Sequence, residues 1–405
     1  MNILVINGDC LQVNTSANLC HLAYIRGLVD AGHQVDVLCA DGRDYHLDPS
    51  MQLPESVRCY TYYGVSWYEK LSLRKNTEPA SVVPVTVSIT QAAAKPGLLH
   101  RLVAKAKSVA LSLYGVHGIY ATFVRKAKQF RSETHYDYVL SLSTPVSSHL
   151  LTHKLLKKGN IQADHWIQIW EDPWSTDAYK LNGNKKIFRE EQRLLSFAEK
   201  VCYVSPLTLR NQQKLFPESA HKMYWQPLPY YYKDEATVAV PKKPTVYGYF
   251  GDYAPAARNL GPFYEAAKTA GITVNICGRP NNLFPSTENI HIYPRLPLDQ
   301  LKPLEDKTNV LIFLCNRKGG QIPGKIYQYS ATEKTILFIM DGTEDEKQVL
   351  HDFFAPFRRY VFCENTVESI STAIKRIESG DLGDIENKPL EAFNPKETIR
   401  KILNP

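Results

Sequence analysis

Short apolar runs alternating with helix-forming segments, in two successive series, constrain this chain more than any other feature. ILVIN (residues 3–7), VDVLCA (35–40), YDYVLSLS (136–143), HWIQIW (165–170) and VCYVS (201–205) are apolar enough to be buried strands. Between the first two, Leu19, Leu22, Ala23, Ile25, Leu28 and Val29 recur at helical spacing, predicting a helix over about 17–31 that Gly32 stops. Strand–helix–strand units of this kind build a parallel sheet with right-handed crossovers. The alternation breaks at QPLPYYYKDEATVAVPKKP (226–244), a tract rich in Pro, Tyr and Lys that reads as a linker. It restarts with TVYGYFG (245–251), ITVNICG (272–278), NIHIYP (289–294), NVLIFLC (309–315) and TILFIM (335–340). Further helices are expected over 260–270, 298–306, 326–331, 367–379 and 397–403. The expected architecture is α/β: two doubly wound, Rossmann-like domains, 1–232 and 244–385, with a cleft between them.

At 405 residues the chain has room for two ordinary domains, and 44% hydrophobic with 22% charged residues is a globular composition. No run approaches the roughly 18 apolar residues of a membrane span. MNILVINGDC starts directly as a strand, without the basic-then-apolar layout of a leader. The eight cysteines occur singly and none forms a CxxC pair, so a reduced, cytoplasmic setting is expected, with neither zinc site nor disulfide framework. No carboxylate cluster suggests a divalent-metal site.

The net charge of +7 is uneven. Residues 79–132 contain no Asp or Glu, yet hold Lys95, Arg101, Lys105, Lys107, Arg125, Lys126, Lys128 and Arg131. Within that stretch Leu98, Leu99, Leu102, Val103, Ala106, Val109, Ala110 and Leu113 make one helical face apolar. The segment at about 95–131 could lie on an anionic membrane surface, or be a core-facing helix with a solvated basic face. No nucleic-acid-binding motif accompanies it, so no nucleic acid is expected.

The segment GGQIPGKIYQYSATEKTILFIM (319–340) interrupts strand and helix with glycine and proline, then places Lys325 at a helix start. That arrangement suits a phosphate or pyrophosphate; it is also what an ordinary loop–helix–strand connection looks like. Parallel sheets present ligands at the carboxyl ends of their strands, which points to Gly8, Asp9, Ser143, Thr144, Glu171 and Asp172. Neither strand–loop start, NGDCLQVN or GDYAPAAR, carries G-x-G-x-x-G, which disfavours a dehydrogenase.

Four pieces of the second half, GYFGDYAPAARNL, ITVNICGRP, ENIHIYPRLPLDQLKPLEDKTNVLIFLC and PGKIYQYSATEKTILFI, carry a family resemblance. Together they resemble the donor-nucleotide domain of GT-B glycosyltransferases, most closely the retaining enzymes of family four. In the first half LSLSTPVSSHLL followed by WIQIWEDPW is similar to members with a Ser-Thr-Pro turn and an Asp-Pro-Trp. The resemblance implies a GT-B fold and metal-independent transfer of a hexosyl or N-acetylhexosaminyl group from a nucleoside diphosphate sugar, with a uridine donor favoured. It implies a glycan or lipid-linked acceptor, in bacterial surface polysaccharide or cell-envelope synthesis, on the inner face of the membrane. The terminal helix, about 390–405, is expected to pack back on the first domain.

Charge developing on a leaving diphosphate must be met by fixed cations and N–H groups. Of the family's two basic residues, the later slot falls on Arg258 and the earlier on Asp252, so Lys325 is expected to supply the second charge, unless it is a plain solvated lysine. The family's two glutamate slots read Gly320 and Gln328; Gln328 can accept from ribose hydroxyls, but as a neutral acceptor. Gly251, Asn259 and Gly324 fall on the donor loops, with Arg279 and Leu296 near the base. On the acceptor side stand Gly8, Asp9, Thr15, Ser143, Thr144 and Glu171. Asp172 either handles the acceptor proton or only initiates its Asp-Pro turn. His149 reads as a packed helical histidine, and no histidine base is assigned. Asp252 and Gln328 also keep a second reading open, a non-catalytic accessory or glycan-binding subunit, and an epimerase of similar shape is a third.

Overall fold

The apolar runs form two separate parallel sheets in the computed structural model, which describes residues 1–66, 69–70, 118, 120–176, 185–231 and 245–404. Each sheet belongs to its own unit. The first takes the described residues up to Gln226 together with those from Pro395 onward; the second spans Pro227–Asn394.

The first sheet holds β1 (Asn2–Asn7), β2 (Gln34–Ala40), β3 (Arg58–Tyr62), β4 (His135–Ser143), β5 (Gln162–Trp170), β6 (Lys200–Tyr203) and β7 (Met223–Trp225). They lie in the order β3-β2-β1-β4-β5-β6-β7, every pair parallel. Ile3 is in register with Val35 on one side and Tyr138 on the other. Ile3, Leu4, Val5 and Ile6 are buried because helices cover both faces of the sheet. Those helices include α1 (Ser16–Asp30), α2 (Ala121–Ala127), α3 (Ser147–Lys157), α4 (Lys185–Phe197) and α5 (Pro206–Leu215). Chain order reverses between β1 and β4, which opens the loops after these two strands toward opposite sides.

The second sheet is built the same way, from β8 (Val246–Phe250), β9 (Thr273–Cys277), β10 (Ile290–Tyr293), β11 (Val310–Leu314), β12 (Thr335–Met340) and β13 (Tyr360–Glu364). Its order is β10-β9-β8-β11-β12-β13, with the reversal between β8 and β11. Around it lie α6 (Gly261–Ala270), α7 (Leu298–Asp306), α8 (Lys325–Tyr329), α9 (Glu344–Phe354) and α10 (Val367–Ser379). Local chemistry sets the ends. Gly271 closes α6 in the left-handed conformation at φ 64°, and Thr343 with Glu346 forms a reciprocal capping box at the start of α9. Leu228, Tyr230 and Tyr231, in the tract expected to link the domains, are buried in this unit; their apolar and aromatic surface favours packing over solvation.

The last helix, α11 (Pro395–Leu403), lies against α1 in the first unit. The approach is close: a Cβ on Gly27 would stand 2.3 Å from the Pro395 carbonyl oxygen. The Tyr224 hydroxyl adds a hydrogen bond to the Ile402 carbonyl at 2.7 Å.

Three strands escaped the sequence reading. β3, RCYTY, is a half-exposed edge strand and β7 has three residues, so neither shows an apolar run. YVFCE of β13 is apolar but follows two arginines, one of which, Arg359, is itself buried. Most of the expected basic amphipathic helix at 95–131 lies outside the described residues. Within the described part, α2 buries Phe123, Val124 and Ala127 and exposes Arg125 and Lys126, a core-facing helix with a solvated basic face. Among the described residues no helix is long and apolar enough to cross a membrane.

Candidate functional site

In the second unit the site assembles where chain order reverses, between the loops after β8 and β11. Gly278, after β9, has to be glycine: a Cβ there would meet the Gly251 carbonyl oxygen at 2.0 Å. Asp252, at the earlier of the two positions expected to carry a cation, serves the backbone instead. Its Oδ1 accepts the Arg279 N–H at 3.0 Å, and its Oδ2 lies 3.8 Å from Arg295. Arg258 crosses the reversal point. Its Nε donates to Asn316 Oδ1 at 2.7 Å and its Nη1 to the Asp252 carbonyl at 3.1 Å. Asn316 in turn donates to the Gln321 carbonyl at 3.0 Å, tying Arg258 to the Gly-rich loop. Arg317 fastens the same pair of loops through Ala257 and Pro255. Gly319 and Gly320 sit at φ 102° and 73°, a region that favours glycine and explains why the run is there.

The helix that follows is shorter than expected. α8 begins at Lys325 and has five residues, so little macrodipole is available, and N–H groups and cations of the loops must carry any anion binding. Lys325 is not a plain solvated lysine: its Nζ pairs with Glu305 Oε1 at 3.1 Å and stands 5.9 Å over the Tyr329 ring. Burial pushes the Cys277 thiol up to about 11, while the Leu296 N–H and the charge of Lys325 work against that rise. Cys277 joins the two sets of residues: its thiol lies near Lys325 and Leu296, and its carbonyl accepts the Gly251 N–H at 2.9 Å, next to Asp252, Arg258 and Arg279. Asn259 supports helix geometry, accepting the Gly261 N–H at 3.2 Å through its side chain and Asn365 Nδ2 at 2.9 Å through its carbonyl. Gly324 precedes α8 with ordinary φ −59°. The Gln328 amide oxygen, expected at the ribose, accepts the Tyr231 N–H at 2.9 Å.

The first unit gathers polar groups at its own reversal point. Gly8 does permit a close approach, to the start of α3: its N–H donates to Ser148 Oγ at 2.8 Å, and a Cβ would meet Ser147 Oγ at 2.2 Å. Thr15 caps α1, accepting the Asn18 N–H at 3.1 Å. Burial raises the Asp9 carboxyl above its usual range, partly offset by the Cys10 N–H and the charge of His21. Thr144 is exposed, whereas Ser143 is buried and its carbonyl accepts the Glu171 N–H at 2.9 Å. Asp172 acts electrostatically with Glu171 on the half-buried Cys20 thiol, so both carboxylates lie beside α1. Just beyond, buried Glu191 on α4 holds the turn, accepting the Trp174 and Ser175 N–H groups at 3.1 and 2.7 Å.

Sequence reasoning missed His21. It is fully buried inside α1, and its Nε2 lies 3.3 Å from Glu171 Oε1. Ser143 Oγ, Ser147 Oγ, His149 Nε2, both His21 ring nitrogens and Glu171 Oε1 are buried without a hydrogen-bond partner in this structure. His149 is packed as expected, 4.3 Å from the Trp170 ring and 2.7 Å from Ser141 Oγ; burial, with His21 nearby, lowers its pKa to about 3. No spacing rule could have paired His21 with Glu171, since 150 residues of chain separate them. Among the described residues no group of three or more His, Cys, Asp or Glu is placed to hold a metal ion.

Neither a family model nor a curated protein matches the chain. Solved structures do match, along nearly all of both chains. A sucrose-phosphate synthase from Thermosynechococcus elongatus superposes at TM-score 0.52 with 12% identity, covering 100% of this chain and 95% of that one. A glycosyltransferase from Rickettsia africae gives 0.51 and 12%, covering 99% and 93%. A structure described as trehalose-6-phosphate from E. coli, bound with UDP-2-fluoro glucose, gives 0.52 and 8%, covering 100% and 95%. Identities this low speak to fold alone. The chain has the GT-B fold, two Rossmann-like domains each with a helix-flanked parallel sheet.

Proposed function

We propose that this chain is a glycosyltransferase that moves a sugar from a nucleoside diphosphate sugar to a glycan or lipid-linked glycan. The observation that carries the reading is Arg258, fastened by Asn316 and Asp252 between the two loops at the reversal point of the second sheet. A cation held there, beside a glycine-rich loop, suits the charge that grows on a departing diphosphate. In this reading the second unit takes the donor, with Lys325 as a further cation and Arg279 and Leu296 toward the base. The first unit takes the acceptor, with Glu171 and Asp172 at its hydroxyl and His21 holding Glu171 in place. A fold relative that carries UDP-2-fluoro glucose supports a uridine donor. Likeness of the loop sequences to family four supports retention of configuration, hexosyl or N-acetylhexosaminyl transfer, independence of metal, and a place in polysaccharide or envelope synthesis. The acid-free basic stretch at 79–132 supports work at the inner face of a membrane. A screen of nucleoside diphosphate sugars, read by release of the diphosphate nucleotide, tests the proposal. Turnover with one donor, lost in Arg258→Ala, is the expected result, and silence across donors and acceptors argues against it.

Asp252 and Gln328 favour a second reading, an accessory subunit without catalysis, because both side chains serve the backbone. Calorimetry separates the two. Heat on titrating nucleoside diphosphates supports the transferase, and no heat supports the accessory subunit.

A further inference from the structure

A cavity of about 630 Å³ opens at the edge of the first sheet, two strands away from the reversal point. Arg43 and Asp44 reach it from the loop after β2, Tyr62 and Tyr63 from the end of β3, Lys70 from just beyond, and Lys126 from α2. Three cations from three segments thus face one carboxylate, and that carboxylate is already engaged. Asp44 sits in the left-handed region at φ 72°, and its Oδ2 accepts the Tyr63 hydroxyl at 2.8 Å and Lys70 Nζ at 3.1 Å. Arg43 is braced from behind, its Nε donating to Asp41 at 2.9 Å while its guanidinium lies 5.4 Å over the Tyr63 ring. Lys126 is exposed on the acid-free stretch, and among the described residues no carboxylate stands within ion-pair distance of it.

Asp41 and Asp44 engage Arg43 and Lys70, so the net positive charge of the cluster is carried by Lys126; it disfavours cations and makes a purely apolar guest a poor match. A carboxylate offers two acceptor oxygens, whereas a phosphoryl group offers three and more charge, which suits cations converging from several directions. The volume exceeds one phosphate and falls in the range of small-molecule sites, so room is left for an organic part against the tyrosines. We propose that this cavity binds a phosphate-bearing group, a phosphomonoester or phosphodiester attached to a sugar or glycerol. The inference does not rest on the transferase reading, and a failed donor screen leaves it standing.

The phosphate could come from a soluble sugar or glycerol phosphate or from a lipid headgroup, and two probes distinguish them. The full chain is titrated with glycerol 3-phosphate by calorimetry, and tested for co-sedimentation with phosphatidylcholine vesicles with and without phosphatidic acid. Heat with glycerol 3-phosphate identifies the soluble source; binding confined to phosphatidic acid vesicles identifies the headgroup. Either way, Arg43→Ala and Lys126→Ala should each weaken binding by about tenfold, as loss of a charged hydrogen bond does. Lys128→Ala, exposed on the same stretch but outside the cavity, should leave it unchanged. No binding to either probe, or equal loss in Lys128→Ala, overturns the proposal.

Discussion

Replacing Arg258 with alanine is the most direct test of the donor site. The guanidinium is held at 2.7 Å by Asn316 Oδ1 and at 3.1 Å by the Asp252 carbonyl, so it reaches the reaction already oriented. A preorganised donor facing developing negative charge contributes about 3–4 kcal/mol to the transition state. At about 1.4 kcal/mol per decade, turnover of Arg258→Ala should fall by roughly 10²–10³. Asn316→Ala keeps the charge and loses one of its restraints, so a smaller loss of about tenfold is expected, the share of one hydrogen bond to a charged group. Arg258→Lys should resemble the alanine variant more than the parent, because one ammonium cannot span Asn316 and Asp252 together. The assay is release of diphosphate nucleotide under saturating donor, with thermal unfolding run alongside to show that each variant is folded. Unchanged turnover in folded Arg258→Ala would refute the assignment, and equal losses in Asn316→Ala and Arg258→Ala would make geometry rather than charge the dominant contribution.

Three further outcomes are expected. His21→Gln should lower kcat by about tenfold with donor KM unchanged, because it removes the imidazole 3.3 Å from Glu171 while leaving the donor loops alone; a folded variant with full kcat would contradict that role. His149 stays neutral in the folded chain down to about pH 3, whereas the unfolded chain takes up a proton near pH 6.5. Its contribution to stability is therefore complete above pH 6.5 and declines as pH falls, by about 1.4 kcal/mol per unit; urea midpoints at neutral and mildly acid pH should converge in His149→Gln, and parallel shifts in both proteins would rule this out. Arg359 is buried, and its Nη2 donates to the Thr332 and Lys334 carbonyls at 2.7 and 2.6 Å. Arg359→Met should destabilise the second unit by about 1–3 kcal/mol for each orphaned carbonyl, read by denaturant unfolding, and a shift under 1 kcal/mol would sink the claim.

Residue patterns announced the two sheets because a parallel strand covered on both faces must be apolar throughout, and VLIFL and TILFIM admit little else. Glycines 319 and 320 were equally legible as a break, since backbone in that region excludes other side chains. The partners of the candidate site were not. Asn316, His21 and Glu191 carry no local signature, and each meets a group distant in sequence that the fold brings to it.

Chain order, apolar rhythm and glycine placement by themselves determined a doubly wound architecture with loops at the strand ends, because these depend on neighbours a few residues apart. Tertiary structure alone decided that Asp252 and Gln328 hold backbone, that Lys325 pairs with Glu305, and that His21 meets Glu171. Hydrogen bonds and ion pairs act over about 3 Å, and only the folded chain sets which groups come that close.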